Sequence, residues 1–423
     1  MASGMALQTQ QRLEPPVKCQ EAWRCEARKW LWQLEMDMAR PTHCRNRQCR
    51  YYLRGTRGWI TRDGYYHTTC SGSVQRYRCR GCGRRLSEQT ESIHYFAKRR
   101  LNLRRIFTRV RGGSSLRDIA RSEGCSPDAI GYAVLRLARQ AMAAQMSLLV
   151  GDGSCTRLVF DGLISCCTSG DYPVELQTLV DGSTELLLVI THALTRRRGT
   201  RTAAQRRRIA EKLSLFAPRR GAVRESISLL VGELARFIGT SHTIIDTDYH
   251  PIYRAVLRAD PALAHFAAGG LITHRRTRST AHRGTENPLF PVNLVDRLVR
   301  HRMKEHTRET IAIARNATMQ MHRMWIFAYD HNFCQPHRVA SGSPASRGEH
   351  YGVDASRLSA IRRSFFTTRI DLSGAMVSES IRRVWSGELE SPPVRWRVGQ
   401  SGGGPRIPAY AMADLNRGHL HAS

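Results

Sequence analysis

Two pairs of cysteines constrain the fold of this chain more tightly than any other feature. Cys44-x4-Cys49 and Cys79-x2-Cys82 form two knuckles, and the stretch between them holds Gly55, Gly58, Gly64 and Gly72. Four thiolates on two tight turns suit a single tetrahedral zinc ion, and the metal replaces the large apolar core that so short a β-rich segment lacks. Cys70 and His67 lie between the pairs and could stand in for one ligand. Residues 41–92 are therefore expected to form a zinc ribbon around one structural Zn ion. Four unrelated buried thiols are the alternative, and the Gly- and Arg-rich surroundings argue against it.

Charge constrains the rest. The chain has 423 residues, with 66 Lys and Arg against 35 Asp and Glu, a formal net charge of +31. That length allows two or three domains with cores of their own. The charge exceeds what solubility requires and calls for a polyanionic partner. Arg dominates it, and the Arg fork suits phosphate oxygens, so nucleic acid is the expected partner. Gln75-Arg76-Tyr77-Arg78-Cys79 sets an aromatic ring among cations beside the metal, where Arg76, Tyr77 and Arg78 could stack on or clamp a DNA backbone. No run of eighteen apolar residues occurs and the first forty residues lack a signal-peptide core. This predicts a soluble, intracellular protein with no membrane partner, in the cytoplasm or nucleoid of a bacterial-type cell or in a nucleus. The 12 Cys then fit a reducing compartment better than a disulfide framework.

Residues 1–40 carry an amphipathic stretch, Glu21 to Met38, with Trp23, Trp30, Trp32 and Leu34, that reads as a docking helix. Residues 98–147 have the spacing of three short helices. Ser115-Leu116-Arg117-Asp118-Ile119-Ala120 opens one, Gly124-Cys125 turns the chain, and Ser126-Pro127-Asp128 supplies an N-cap, a first-turn Pro and a dipole-matching acid for the next. Ile130, Val134 and Leu137 then face a core, leaving Tyr132, Arg136 and Arg139 outward. With Arg117, they would meet DNA as in a helix-turn-helix, although three-helix units that bind no DNA share the pattern.

From Thr156 the pattern becomes strand-like, over Arg157 to Phe160, Val174 to Val180 and Thr184 to Ala193, with Asp181-Gly182 as a hairpin signal between the last two. Residues 195–220 are crowded with Arg and interrupt the pattern. A helix over Val223 to Ile238, a strand over His242 to Ile245, a short strand over Leu271 to His274 and a long helix over 294–331 follow. This order predicts a mixed sheet flanked by helices, spanning 154–335. Residues 336–423 are left as a tail with one helix near Ala355 to Phe366.

Within that region three acids stand at chemically useful places. Asp161 ends a strand in Leu158-Val159-Phe160-Asp161-Gly162, and Asp248 follows another in Ile244-Ile245-Asp246-Thr247-Asp248. Carboxylates at two neighbouring strand ends can share divalent ions, which activate an attacking oxygen and stabilise a leaving one in phosphodiester displacement. A third usually comes from a helix packed on the sheet, and Asp296, at the start of the long helix, is the choice. Asp246 rivals Asp248, while Glu305 and Glu309 rival Asp296. Taken singly, Asp161 could merely end its strand in a turn and Asp296 could merely answer the helix dipole.

Gln75-Arg76-Tyr77-x-Cys79-x2-Cys82, Ser115 to Leu135, Thr247-Asp248-x2-Pro251-x-Tyr253 and Asn293-x2-Asp296-Arg297 resemble, in that order, parts of DDE-type insertion-sequence transposases with an N-terminal zinc ribbon and helix-turn-helix. The resemblance covers residues 40–335. It implies a multidomain α/β protein, with a ribonuclease-H-like mixed-sheet catalytic core preceded by the ribbon and the helix-turn-helix. Asp161 and Asp248 would bridge two catalytic Mg ions, Asp296 would complete the shell, and Arg297 would follow the third acid on its helix. The activity implied is Mg-dependent cleavage of double-stranded DNA at the element's ends and joining of the freed 3′-hydroxyl to target DNA, by a homodimer or larger assembly. The family usually has Glu where this chain has Asp296, and the gap after Asp248 is long here. A non-catalytic DNA-binding regulator, or a nuclease of the same fold without strand transfer, would share much of the pattern.

Overall fold

A computed structural model describes residues 40–394 apart from 53, 150–154, 279, 339–341, 371 and 373–376. The helix expected over Glu21 to Met38 and the tail beyond 394 lie outside the described residues. The chain divides into two compact units, residues 1–97 and residues 98–423.

In the first unit, β1 (Ile60–Thr68), β2 (Gly72–Cys79) and β3 (Arg85–Ser87) form an antiparallel sheet in that order. Gly72 enters β2 with a φ of +65°, a left-handed backbone that suits glycine at the tight turn from β1. The core consists of Cys44, Cys49, Trp59, Ile60, Tyr77, Cys79 and Leu86. Arg45 and Glu91 form a buried ion pair across the unit. A core this small needs help from a metal or a cross-link to be stable.

The second unit opens with α1 (Leu103–Arg111), α2 (Leu116–Glu123) and α3 (Pro127–Leu148). Ser115 and Ser126 cap α2 and α3 by accepting from the N–H groups of Asp118 and Ala129, and Gly124 ends α2 at a φ of +58°. A five-stranded mixed sheet follows, from β4 (Arg157–Cys167), β5 (Ser169–Asp181), β6 (Leu187–Leu194), β7 (Thr243–Asp248) and β8 (Ile272–Thr277). Its order is β6-β5-β4-β7-β8: the first three strands in sequence form an antiparallel meander, and β7 and β8 add in parallel beside β4. The β5–β6 turn is closed by the Asp181 carboxylate, which accepts from the N–H groups of Ser183 and Thr184 and from the Thr184 hydroxyl.

The remaining helices are α4 (Ala203–Leu215), α5 (Ala222–Leu234), α6 (Pro251–Ala259), α7 (Pro261–Ala268), α8 (Phe290–Arg302), α9 (Ala317–Phe333), α10 (Arg347–Tyr351), α11 (Ala355–Ser364) and α12 (Glu379–Trp385). Successive residues of a strand point to opposite faces of the sheet. On one face Thr191 bonds Ser226 of α5, Gln177 accepts from Tyr253 of α6, and Phe160 meets the Tyr253 ring edge-on. On the other, Thr178 reaches Asp296 of α8, Ser165 bonds His306, and Gln320 of α9 donates to Ser165. The sheet is thus a middle layer between helices.

The single long helix expected over 294–331 is two helices, α8 and α9. Between them His306 is fully buried against the Ser165 hydroxyl and Glu305 pairs with Arg323 at 2.6 Å, which draws the chain out of helical geometry. Asn316 then caps α9. Asp296 consequently lies in the middle of α8. The Arg-crowded stretch contains α4, started by a capping box of Thr202 and Gln205. Among the described residues no helix is long and apolar enough to cross a membrane.

Candidate functional site

In the first unit the four predicted thiolates converge. The sulfurs of Cys44, Cys49, Cys79 and Cys82 all lie within 4.8 Å of one another. Cys44 Sγ is 3.5 Å from Cys82 Sγ, and Cys49 Sγ is 3.6 Å from Cys79 Sγ. The N–H groups of Asn46 and Gly81 point at the sulfurs of Cys44 and Cys79. Gly81 is required by space, because a Cβ there would stand 2.9 Å from the Tyr51 ring and 3.0 Å from Cys49 Sγ. Burial pushes the Cys44 and Cys49 thiols up. At Cys82 the N–H of Arg84 and the neighbouring Asn46, Cys44 and Cys49 outweigh burial and bring the pKa down to about 7. Four clustered sulfurs with one poised to ionise can hold a metal ion such as zinc. Cys70 and His67 lie at the far end of the β1–β2 hairpin and are not in the group.

In the second unit Asp161, Asp248 and Asp296 come near one another, but Asp161 does not end its strand as expected: it is the fifth of the eleven residues of β4, and Asp248 alone stands at a strand end. Asp161 faces Thr178 across the β4–β5 ladder, and the Thr178 hydroxyl donates to Asp296 Oδ1 at 3.4 Å. Val159 pairs with Asp246 in the parallel β4–β7 ladder, so two residues further on Asp161 stands level with Asp248. Asp248 Oδ1 accepts from the N–H of His250, the cap of α6, at 2.9 Å.

The electrostatics agree with this placement. Burial lifts the Asp161 pKa to about 6; the Gly162 N–H opposes this, and the charges of Asp248 and Glu175 add to it. Burial and the Asp161 charge hold the Asp296 carboxyl well above the usual range, against Arg300 and Thr178. The carboxylates are close enough to raise one another, yet more widely spread than the sulfurs: among the described residues only the thiolates form a group of three or more within 4.8 Å.

The rivals are committed elsewhere. Asp246 is fully buried and accepts from Arg157 Nε, Arg275 Nε and a second Arg275 nitrogen, each at 2.8 Å. Glu305 is bound to Arg323, and Glu309 is exposed in the segment between α8 and α9. Glu175, which the sequence reading did not single out, shares the Gln177 and Tyr253 face of the sheet, opposite to Thr178 and Asp296, and acts on Asp161 through its charge alone. It lies on β5, and its own pKa is raised mainly by burial, with the Asp248 charge adding to it. Its signal was a carboxylate inside the otherwise apolar Pro173-Val174-Glu175-Leu176 run. Arg283, Arg198 and Arg300 supply positive charge to Asp161, Glu175 and Asp296 in turn.

The predicted DNA-contacting residues divide. Arg78, Arg117, Tyr132 and Arg297 are exposed, and Arg76 and Arg136 are half-buried. Tyr77 corrects an expectation. Two residues before the ligand Cys79 on the same strand, it points to the same face and is core, with its hydroxyl 3.4 Å from Glu88. Arg139 is the second correction: it is buried, its guanidinium 5.9 Å from the centre of the Trp385 ring. Beyond its first turns α3 is covered on nearly every side, and Trp385 at the end of α12 stands over the Arg139 guanidinium, which was expected to project outward. Set beside models of known protein families and beside characterised proteins, the chain matches none.

Proposed function

We propose that this chain is a DNA transposase with a ribonuclease-H-like core, which cuts at an element's ends and joins them to target DNA. The observation that carries the reading is the strand order β6-β5-β4-β7-β8, a meander continued by two parallel strands, with Asp161 on the central strand level with Asp248 at the end of its parallel neighbour. Asp296 comes to the same place from α8, through Thr178. Three hard-oxygen donors whose charges oppose one another suit divalent magnesium. Bound there, two Mg ions would supply positive charge to the attacking and leaving oxygens of a phosphodiester displacement.

The chain's own part is to gather and orient. The Gly162 N–H fixes one oxygen of Asp161, the His250 N–H fixes one of Asp248, and the Thr178 hydroxyl holds Asp296. Arg283 and Arg300, whose charges act on Asp161 and Asp296, would balance scissile-phosphate charge there. The ribbon with one Zn ion, and Arg117 and Tyr132 at the exposed side of α2 and α3, would grip the duplex. Work on two DNA ends would require a dimer or larger assembly.

The test supplies a short duplex with a free 3′-hydroxyl end, matching the sequence that flanks the gene, together with target plasmid and Mg. Joined product from the wild type and none from Asp248→Asn is expected. Cleavage without joining would replace the reading by a nuclease. Activity unaffected by Asp248→Asn would leave a DNA-binding protein.

A further inference from the structure

The segment between β6 and α5 poses a puzzle of anchorage. Residues 195–220 hold Arg196, Arg197, Arg198, Arg201, Arg206, Arg207, Arg208, Lys212, Arg219 and Arg220 against a single acid, Glu211. Helix α4 within it has one buried residue, Ile209. Its inner face, Gln205, Arg208, Ile209, Lys212 and Leu213, follows helical spacing, but an apolar stripe does not hold it down.

What holds it is Asp171 at the start of β5. That buried carboxylate accepts from Arg208 Nε at 2.9 Å, from Lys212 Nζ at 2.6 Å and from Arg197 at 3.0 Å. Lys212 also reaches Ser169, and the Tyr172 hydroxyl donates to the Lys212 carbonyl at 2.6 Å. One acid thus fixes three cations, which orients the helix and leaves local positive charge uncompensated.

The outward side carries more of it. Arg206 and Arg207 are exposed on α4, and Arg196 and Arg198 are exposed on the segment between β6 and α4. Among the described residues none of these four is ion-paired to a carboxylate, and Arg198 lies near enough to Glu175 to lower its pKa. Glu175 in turn acts on Asp161.

We infer that residues 195–220 form a phosphate-binding wall, on which α4 holds the backbone of duplex DNA. The inference rests on the DNA reading above and names a surface for it. Its logic is charge: an excess of cations, held rigid by a shared buried acid, is matched by a regular row of phosphates. Arg, with its fork of donors, is the residue that exploits such a row.

Counterion release supplies a readout that a merely structural role would not move. Each phosphate neutralised adds about 0.9 to the slope of log K against log salt concentration on B-form DNA. An Arg196→Gln/Arg206→Gln/Arg207→Gln variant should therefore lower that slope by about 2.7. Between 50 and 200 mM salt it should lose roughly 40-fold less affinity than the wild type does.

The experiment titrates the full chain and this variant with a fluorescent 30-base-pair duplex across that salt range. An Arg357→Gln/Arg363→Gln control carries charge losses on α11, and circular dichroism checks folding. A smaller slope in the triple variant, with the control at the wild-type slope, is the expected result. An unchanged slope in a folded triple variant, or an equal fall per charge in the control, overturns the inference and leaves the transposase reading standing. The expected slopes without joined product in the strand-transfer assay would remove the transposase reading alone, and a wild type that does not bind duplex DNA removes both.

Discussion

Replacing Asp246 by Asn should loosen the sheet without touching the acidic group. The side chain is fully buried on β7 and is bonded to Arg157 of β4 and Arg275 of β8, so it fastens three adjacent strands. Removing one partner of a buried ion pair typically costs about 3–5 kcal/mol, because the other charge is left uncompensated. Here the guanidiniums keep 30% and 45% of their surface, so water recovers part of their solvation. Asn also retains one acceptor oxygen, and about 2–3 kcal/mol of loss remains. That corresponds to a fall in Tm of about 3–5 °C for a unit of this size. Asp248→Asn is the comparison. It keeps the oxygen that accepts from His250 and removes a charge that opposes Asp161, so stability should change by about 0.5 kcal/mol or less. Urea and thermal unfolding followed by far-ultraviolet circular dichroism measure both. A loss below about 1 kcal/mol for Asp246→Asn, or an equal loss for Asp248→Asn, would refute the division into a structural and a functional acid.

Three further expectations follow from particular contacts. Cys49→Ser should abolish stoichiometric zinc binding and the protease resistance of residues 41–92, whereas Cys70→Ser should leave both unchanged, as read by metal analysis and limited proteolysis. At Glu349 burial alone would raise the carboxyl, but bonds from Ser346 and Arg362 outweigh it and hold the pKa down at about 2. Its folded value lies below the unfolded one, so its contribution is full above pH 4.5 and is lost as pH falls toward about 2; Glu349→Gln should flatten the acid limb of a stability–pH curve over that window. Tyr253→Phe removes the hydroxyl that donates to Gln177 at 3.1 Å behind the acids, and should cost about 1 kcal/mol in urea unfolding.

The meander was legible because apolar runs and Asp181-Gly182 encode it directly, and the caps of α2 and α3 because Ser115, Ser126 and Pro127 act locally. Helix α4 was not, since a helix pinned by ion pairs to Asp171 carries almost no apolar period. The break between α8 and α9 depends on His306 finding Ser165, a tertiary contact with no Gly or Pro to announce it. Arg139 illustrates the same limit: periodicity says which side of α3 is apolar, but not that Trp385 of α12 will cover the other. Tyr77 could have been read correctly, because its spacing from Cys79 sets it on the ligand face. For the acids, chain position indicated Asp161, Asp248 and Asp296, while the partners that separate Asp246 from Asp248 are cross-strand neighbours that only the folded register supplies.

Cleavage of a duplex carrying the element's end, by purified protein with and without Mg, bears most directly on the three carboxyl groups. Wild type should release a nicked or cut product only when the metal is present, and Asp161→Asn, Asp248→Asn and Asp296→Asn should each lose it while still binding the duplex. Cutting that persists in chelator, or survives in all three Asn variants, would contradict the account.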